Sequence, residues 1–226
     1  MTDPSPQPIE IRTDRLLLRD FTGDDLDGVH GIVGDADVTS WLSFNTRSRD
    51  QAETMLAGIL DRQQAQPRIE YYLAITPAGA TQTVIGFIRL GLGGVQAADL
   101  GYALRPSHWG QGLAYEAAAA MIDFAFGTLD LHRLTANIGP ANASSIRLVR
   151  TLGFSYEGTI RDHVHTNGDW RDSRSYSLLA PEWASAPTCE NCSKRVPASP
   201  RGRARKFCST ACRQAAHRRG HATSSE

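Results

Sequence analysis

A glycine-rich turn at 110–114 has the residue types of an anion-binding site. Gly110 and Gly112 flank Gln111, and the alanine-rich segment that begins at Leu113 has the pattern of a helix. Glycines at the start of a helix leave backbone N–H groups accessible, and the helix dipole adds partial positive charge there. The spacing therefore predicts a site for a phosphate or pyrophosphate group. A turn that only reverses the chain is the alternative.

Two common nucleotide-binding motifs are excluded at this turn. The dinucleotide motif G-x-G-x-x-G needs a third glycine, and Tyr115 occupies that place. The Walker motif needs Gly-Lys-Ser/Thr, and the turn contains no lysine.

Four cysteines near the end of the chain form two close pairs. Two residues separate Cys189 from Cys192, three separate Cys208 from Cys212, and fifteen lie between the pairs. Two such pairs can supply the four thiolates of a tetrahedral structural zinc site. The segment has almost no apolar residues, so metal binding would have to supply its folding free energy. The spacing predicts a zinc site, and an unfolded, reduced tail is the alternative.

Charge is unevenly distributed, although the formal net charge is zero. From Ser185 onward the chain has nine Lys and Arg residues and two acidic ones, whereas the first 184 residues have 15 basic and 22 acidic ones. A basic segment around a metal favours contact with RNA, DNA or an acidic protein surface. A solvated basic tail without a defined partner is the alternative.

The preceding residues must supply the elements that position these groups, and their pattern predicts an α+β domain with a mixed sheet. The predicted order is a strand, two helices, three strands, a helix, a strand, a helix and two strands. The helices begin after Thr22, Ser48, Gly112 and Asn142, where residues that favour helix starts occur. The predicted strands are at 9–21, 71–76, 83–92, 97–105 and 132–138, followed by a closing pair around an Asn167-Gly168 turn.

Composition divides the chain into five predicted parts. These are a disordered leader (1–8), the α+β domain (9–180), a linker (181–188), a basic zinc module (189–219) and a disordered tail (220–226). No apolar run approaches the roughly 18 residues of a membrane span, and the beginning of the chain has no signal-peptide pattern. Clustered cysteines without these signals favour a reducing compartment, so a cytoplasmic protein is predicted.

Several motifs in order resemble the GNAT superfamily of acetyl-CoA-dependent N-acetyltransferases. They are "TDRLLLRDF", "LGYALRPSHWGQGLAYEA", "NxxSxxLxxxLGF" from Asn142, "EGTIR" and a closing "YSLL", and they span residues 9–180. The resemblance is narrower to the RimJ/RimL branch, which acetylates the N-termini of ribosomal proteins. It implies the GNAT fold, whose central sheet is mixed and mostly antiparallel and is flanked by helices.

The resemblance also implies a set of acetyl-CoA contacts. Leu104 and Arg105 would offer backbone groups to the pantetheine arm, and Asn137 and Asn142 would contact the co-substrate. The pyrophosphate loop of the family matches Trp109, Gly110, Gln111, Gly112, Leu113 and Ala114. Trp109 stands where the family has a polar residue, which matters little because these contacts come mainly from the backbone.

Two catalytic roles follow from the same resemblance. Glu157 matches the position that often acts as the base, because an amine attacks a thioester only after losing a proton. Many members place a tyrosine in the last helix to stabilise the departing thiolate, but Val149 is there in this chain. Ser145 is the substitute donor and a co-substrate contact, although a helix-capping serine is the alternative for it. A surface glutamate is the alternative for Glu157.

The acceptor is predicted to be an amine, either a small molecule or a protein N-terminus. The first two helices and the last hairpin would form its pocket, with Trp41, Phe44 and Arg47 as candidate lining residues. A second hypothesis gives the domain no catalysis. In it, a CoA-sensing or degenerate scaffold carries a basic zinc module that binds nucleic acid or a protein partner. Under either hypothesis the basic tail could contact RNA, DNA or the ribosome.

Overall fold

The computed structural model describes residues 8–192, 195–196, 206–207, 212–216 and 218. The predictions made for residues 1–7, for Cys208 and for the tail at 220–226 lie outside these described residues.

One eight-stranded sheet runs through the domain in the order β1-β2-β3-β4-β5-β6-β8-β7. All neighbouring strands are antiparallel except β5 and β6, which are parallel. The strands are β1 (Glu10–Arg12), β2 (Leu16–Asp20), β3 (Glu70–Pro77), β4 (Gly86–Leu92), β5 (Ala97–Leu104), β6 (Arg133–Ile138), β7 (Ser155–Thr166) and β8 (Asp169–Leu179). The predicted α+β class and mixed, mostly antiparallel sheet are confirmed.

Helices cover both faces of the sheet and divide the core in two. One core packs α4 and α5 against one face, and the other packs α1 and α3 against the opposite face. The helices are α1 (Leu26–Val33), α2 (Ala36–Thr39), α3 (Arg49–Gln63), α4 (Leu113–Gly127), α5 (Ala143–Thr151) and α6 (Ala180–Ser185). Among the described residues, no helix has both the length and the apolar character needed to cross a membrane.

Local signals placed most of these elements correctly. The side-chain oxygen of Ser48 accepts from the Gln51 N–H at 3.3 Å, and the Gln51 side chain accepts from the Ser48 N–H, which starts α3 as predicted. Asn167 and Gly168 both have positive φ, at 55° and 80°, and join β7 to β8 in a two-residue turn.

Three segments differ from the sequence-based prediction. A short helix, α2, lies between the two helices predicted after the first strand. Residues 9–21 form two strands, because the chain reverses after Arg12, where the N–H of Thr13 donates to the carbonyl of Leu16. Residues 181–185, assigned to a linker by composition, belong to α6. Trp183 anchors that helix: it is 4% exposed, and its indole N–H donates to Asp123 on α4 at 2.7 Å.

Candidate active site

The glycine turn connects the end of β5 to α4. Gly110 and Gly112 have φ values of +73° and +75°, a backbone conformation that favours glycine. Gly112 directly precedes the first residue of α4, so the N–H groups of Leu113 and Ala114 lie at the helix start. The predicted loop therefore has the geometry of an anion site.

Two side chains of the turn stabilise it from within. The indole N–H of Trp109 donates to the carbonyl of Leu104 at 2.8 Å, and the Gln111 amide donates to the carbonyl of Ser107 at 3.0 Å. Both side chains are thus engaged with backbone, which supports the interpretation that the ligand contacts of the turn come from its N–H groups.

Glu116, in the first turn of α4, ties the glycine turn to the β1–β2 connection. Its carboxylate accepts from the Thr13 hydroxyl at 2.6 Å and from the backbone and side chain of Arg15 at 2.9 and 2.6 Å. Arg15 also donates to the carbonyl of Gln111 at 3.0 Å. Burial by itself would raise the pKa of Glu116, but the bonds from Thr13 and Arg15 outweigh it and lower the pKa. Glu116 is therefore a negative group that fixes the turn.

We expect Glu116→Gln to destabilise the fold by about 1–2 kcal/mol and to weaken binding of CoA, because an amide cannot accept all three bonds. A carboxyl whose pKa is lowered by folding stabilises above its ordinary value of 4.5, and this contribution disappears as the pH falls through the lower, folded value. Thermal unfolding followed from neutral to acidic pH should show a smaller acid-induced loss in the variant. Glu10→Gln, at a glutamate paired with Arg12 on the exposed edge strand, is the control; an equal effect there would contradict this role.

The strands β5 and β6 pair only at their beginnings. Their register runs from Ala97 opposite Arg133 to Asp99 opposite Thr135, and both strands continue beyond it. The two strands therefore diverge and leave a gap next to the glycine turn. This gap gives an extended ligand access to backbone groups between two strands.

The backbone N–H groups of Leu104 and Arg105, the two predicted pantetheine contacts, point in opposite directions. The N–H of Arg105 donates to the carbonyl of Ile85, so it faces β4. Because successive N–H groups of a strand point to opposite edges, that of Leu104 faces the gap. The side chain of Arg105 extends to α1, where it lies 3.3 Å from the carbonyl of Gly28. Only the Leu104 donor is directed toward the gap.

Asn142 and Ser145 lie at the start of α5. The Asn142 side chain accepts from the Ser145 N–H at 3.0 Å, which caps the helix as predicted. The Ser145 hydroxyl lies 2.5 Å from the hydroxyl of Tyr102 on β5. Ile146 and Val149 of the same helix pack into the core on the α4 side of the sheet. Ser145 is thus fixed by its capping interaction with Asn142 and by the contact of its hydroxyl with Tyr102.

Glu157 lies on the face of the sheet opposite α4 and α5, and two partners bind its carboxylate. Arg133 forms an ion pair with it, and the Ser177 hydroxyl donates to it at 2.8 Å. The bond from Arg133, with that from Ser177, lowers the pKa of Glu157, whose side chain is 39% exposed. A lowered pKa makes this carboxylate a weaker base.

Asp99 is a second carboxylate on this face and was not predicted from the sequence. It stands at the last position at which β5 pairs with β6, where Asn137 donates to it at 3.3 Å and Thr135 at 3.4 Å. Partial burial raises the pKa of Asp99, whose side chain is 45% exposed, and outweighs the opposing effect of Arg89, 3.8 Å away. The predicted residue Asn137 therefore points to this carboxylate. An acid within the otherwise apolar and small run "AADLGYAL" was the available signal.

Comparison with known proteins assigns the family. A model described as "Acetyltransferase (GNAT) domain" matches residues 15–155, which is more than half of the chain. The chain belongs to the GNAT family. It is accordingly an acetyl-CoA-dependent N-acetyltransferase, and the predicted family and enzyme class are confirmed.

Individual relatives agree with this assignment. The chain is 31% identical over 175 residues to an uncharacterized N-acetyltransferase, p20, of Bacillus licheniformis, covering 77% of this chain and 98% of that one. It is 36% identical over 100 residues to the [ribosomal protein uS5]-alanine N-acetyltransferase of Escherichia coli, covering 44% and 52%. Mycobacterium smegmatis RimJ, solved in complex with CoA-disulfide, shares the fold with a TM-score of 0.67 at 21% identity, over 77% of this chain and 88% of that chain.

In the GNAT domain, the loop after α2 meets the tip of the β7–β8 hairpin. Arg171 donates to the carbonyls of Ser40 and Leu42 at 2.7 and 2.5 Å, and the Asn167 N–H donates to the Asn45 side chain at 2.8 Å. A cavity forms there, lined by Ser43, Phe44, Asn45, Thr46, Arg47, Gln51 and His165. The structure brings Phe44 and Arg47 to this cavity, whereas Trp41 is 46% exposed.

The cysteine-rich segment follows the GNAT domain. The sulfur atoms of Cys189, Cys192 and Cys212 lie within 4.8 Å of one another, and Cys189 is 2% exposed. The Cys192 and Cys212 sulfurs are 3.7 Å apart. Tetrahedral zinc with bonds of about 2.3 Å places its sulfur ligands about 3.8 Å apart. Three of the four predicted ligands therefore converge, and the Cys192–Cys212 distance fits this ion.

Arg195 attaches the cysteine-rich segment to α6. Its guanidinium donates to the carbonyls of Ala184 and Ala186 at 3.1 and 3.0 Å and lies 5.3 Å from the centre of the Trp183 ring. Thr188 pairs with Arg195 in an antiparallel bridge around the first two cysteines. The segment thus packs against the GNAT domain.

Proposed function

We propose that this enzyme acetylates a primary amine at a protein N-terminus by direct attack on the thioester of acetyl-CoA. The observation that carries the proposal is the gap between β5 and β6. The anion-binding turn lies at one end of it, Ser145 lies on the α5 side, and two carboxylates, Asp99 and Glu157, lie on the other face. Similarity to the uS5-alanine enzyme favours a protein acceptor, although that match covers about half of each chain.

The chemistry assigns a step to each of these residues. The amine enters from the face with the carboxylates and loses a proton to one of them, and its nitrogen attacks the thioester carbon. The Leu104 N–H, which faces the gap, stabilises the negative charge that develops on the carbonyl oxygen. The C–S bond then breaks, its electron pair goes to sulfur, and Ser145 donates a hydrogen bond to the thiolate.

The base is one of two candidates. Glu157 is the candidate predicted from the sequence, acting directly or through a water molecule. Asp99 is the candidate that the structure adds, and the directions of the two pKa shifts favour it. A base with a raised pKa is better matched to a proton held by an amine at neutral pH.

The C-terminal module is proposed to bind one zinc ion through Cys189, Cys192, Cys208 and Cys212. Zinc there has a structural role, since four thiolates leave no open position for substrate. The exposed Arg213 and Arg218 belong to the basic surface of the module, and we propose that this surface guides the enzyme to RNA or the ribosome in the cytoplasm.

An acceptor screen tests the proposed reaction. The full chain is mixed with acetyl-CoA and, in separate reactions, a peptide that begins with alanine, a polyamine and an aminoglycoside, and released CoA thiol and acetylated product are measured. We expect the peptide to be acetylated at its N-terminus, and the same peptide with a blocked N-terminus is the control. Acetylation of the polyamine or aminoglycoside alone would contradict the proposed acceptor. CoA binding without transfer to any amine, together with RNA binding, would instead support a CoA-sensing scaffold.

A further inference from the structure

Tyr102 and Ser145 form a hydrogen bond that links β5 to α5 beside the gap. Their hydroxyl oxygens are 2.5 Å apart. Tyr102 is three residues beyond Asp99, the last position at which β5 pairs with β6, so it lies where these two strands have already diverged. Its ring packs against the core on the α5 side. The pair therefore connects the diverging strand to the helix start.

The chemistry of the two hydroxyls sets the direction of this bond. By position either hydroxyl could donate. A phenol is a stronger acid than an aliphatic alcohol and is the better donor, so we assign the donor role to Tyr102 and the acceptor role to Ser145. Burial raises the pKa of Tyr102 to about 12, so the phenol keeps its proton at neutral pH. The proton of Ser145 is then free to point to a third group.

The rest of Ser145 is already fixed. Its backbone N–H donates to the Asn142 side chain in the capping interaction of α5. With the backbone held by the cap and the oxygen held by Tyr102, rotation of the hydroxyl is restricted. A donor held in this way needs little reorganisation when charge develops next to it.

We propose that Tyr102 is a positioning residue, which orients the Ser145 hydroxyl toward the sulfur of CoA so that it stabilises the departing thiolate. This inference rests on the proposed function of Ser145. Neither hydroxyl gives up its proton in the step. The electron pair of the C–S bond goes to sulfur, the proton of the amine goes to the carboxylate, and the thiolate is later protonated by water.

The proposed role of Tyr102 explains how a valine can occupy position 149. Many members of the superfamily place a tyrosine in this helix, as the resemblance implies, whereas Val149 is fully buried here. In this chain a phenol reaches the helix from β5 and acts through a serine.

The thiol of bound CoA provides a direct test, because the ultraviolet absorbance of its thiolate can be titrated without any amine acceptor. A hydrogen-bond donor favours the thiolate, so the pKa of the bound thiol should lie below that of free CoA. We expect Tyr102→Phe to raise this pKa by about one unit, a ten-fold change in the acid dissociation constant. We expect Ser145→Ala to raise it at least as much, and the double variant no more than Ser145→Ala alone.

Tyr176→Phe is the matched control. Tyr176 is a fully buried tyrosine on β8 whose hydroxyl has no hydrogen-bond partner within the described part of the chain. Removing that hydroxyl should leave the thiol pKa unchanged. Calorimetry with CoA and thermal unfolding should show that the Tyr102→Phe protein still folds and binds.

The outcomes separate this inference from the proposed function. A thiol pKa unchanged in Tyr102→Phe but raised in Ser145→Ala would overturn the inference and leave the reaction intact. The thiol pKa could rise in Tyr102→Phe although the wild-type protein acetylates no amine. That result would support the inference and refute the proposed reaction. With an accepted amine, Tyr102→Phe should lower kcat about ten-fold at unchanged KM for acetyl-CoA, and a change confined to KM would contradict a role in thiolate stabilisation.

Discussion

Replacing Asp99 with asparagine is expected to lower kcat by about a hundred-fold or more, the loss typical of removing a general base. Asparagine has the shape of aspartate and keeps an oxygen for Asn137 and Thr135, but it cannot take a proton. Binding of CoA should change little, because Asp99 faces away from the helices that hold the glycine turn. Steady-state kinetics with an accepted amine and calorimetry with CoA measure the two effects.

The role of Asp99 as a base also predicts how the rate depends on pH. Burial raises the pKa of Asp99 above its ordinary value of 3.8, and a base works only when deprotonated. The rate at saturating substrates should therefore rise as the pH rises through that pKa. The variant should lack this acidic limb, because it has no group to titrate at this position.

Glu157→Gln is the matched comparison, since it makes the same chemical change at the other carboxylate. We expect about a ten-fold loss there, because Glu157 is paired with Arg133 and a neutral amide leaves that charge without its partner. The reverse order of the two losses would assign the base to Glu157, as the sequence predicts. Equal rates in both variants and the wild type would refute proton removal by either carboxylate.

Most elements could be predicted from the sequence because their signals are local. Ser48 and Gln51 form a capping box within four residues, and Asn167-Gly168 has the backbone freedom that a two-residue turn needs. The glycine turn belongs to the same class, because two left-handed glycines before a helix set its shape. Each of these features depends on neighbours in the chain and on backbone sterics.

The remaining features depend on tertiary contacts. α6 exists because Trp183 reaches Asp123, sixty residues earlier in the chain. Asp99 is a candidate base because the register places it where β5 and β6 diverge, and alternation within one strand cannot reveal where a neighbour departs. The ring of Tyr102 packs against the core, as its place in a strand would suggest, but its hydroxyl is 2.5 Å from a residue on a later helix.

The largest effect on stability is expected from removal of the proposed zinc ion. Zinc binding to four thiolates contributes on the order of 10–16 kcal/mol in small zinc modules, which exceeds what the sparse apolar residues of this segment can supply. The purified full chain should therefore contain about one zinc ion, and a strong chelator should unfold the segment after α6. The GNAT domain has its own two cores and should keep its melting transition.

Variants identify the ligands. Cys192→Ser and Cys208→Ser should each abolish stoichiometric zinc, the second one testing the fourth ligand predicted from spacing alone. Asn191→Ala is the graded comparison: its side chain donates to the Cys212 sulfur at 3.5 Å, so its loss should weaken zinc about 10–100-fold without abolishing binding. Elemental analysis and competition with a chromogenic chelator give these values, and full zinc content in Cys208→Ser would refute the four-cysteine site.

Trp183 should report loss of zinc from within the GNAT domain. Arg195 lies over its ring and bonds the last carbonyls of α6, so the indole emission depends on the position of the segment that carries Cys189 and Cys192. Chelation should change that emission, and added zinc should restore it. Arg195→Ala should retain zinc, since it removes no thiolate, but should uncouple the emission from metal binding. Emission that follows zinc equally well in Arg195→Ala would mean that the metal module and the GNAT domain communicate by another contact.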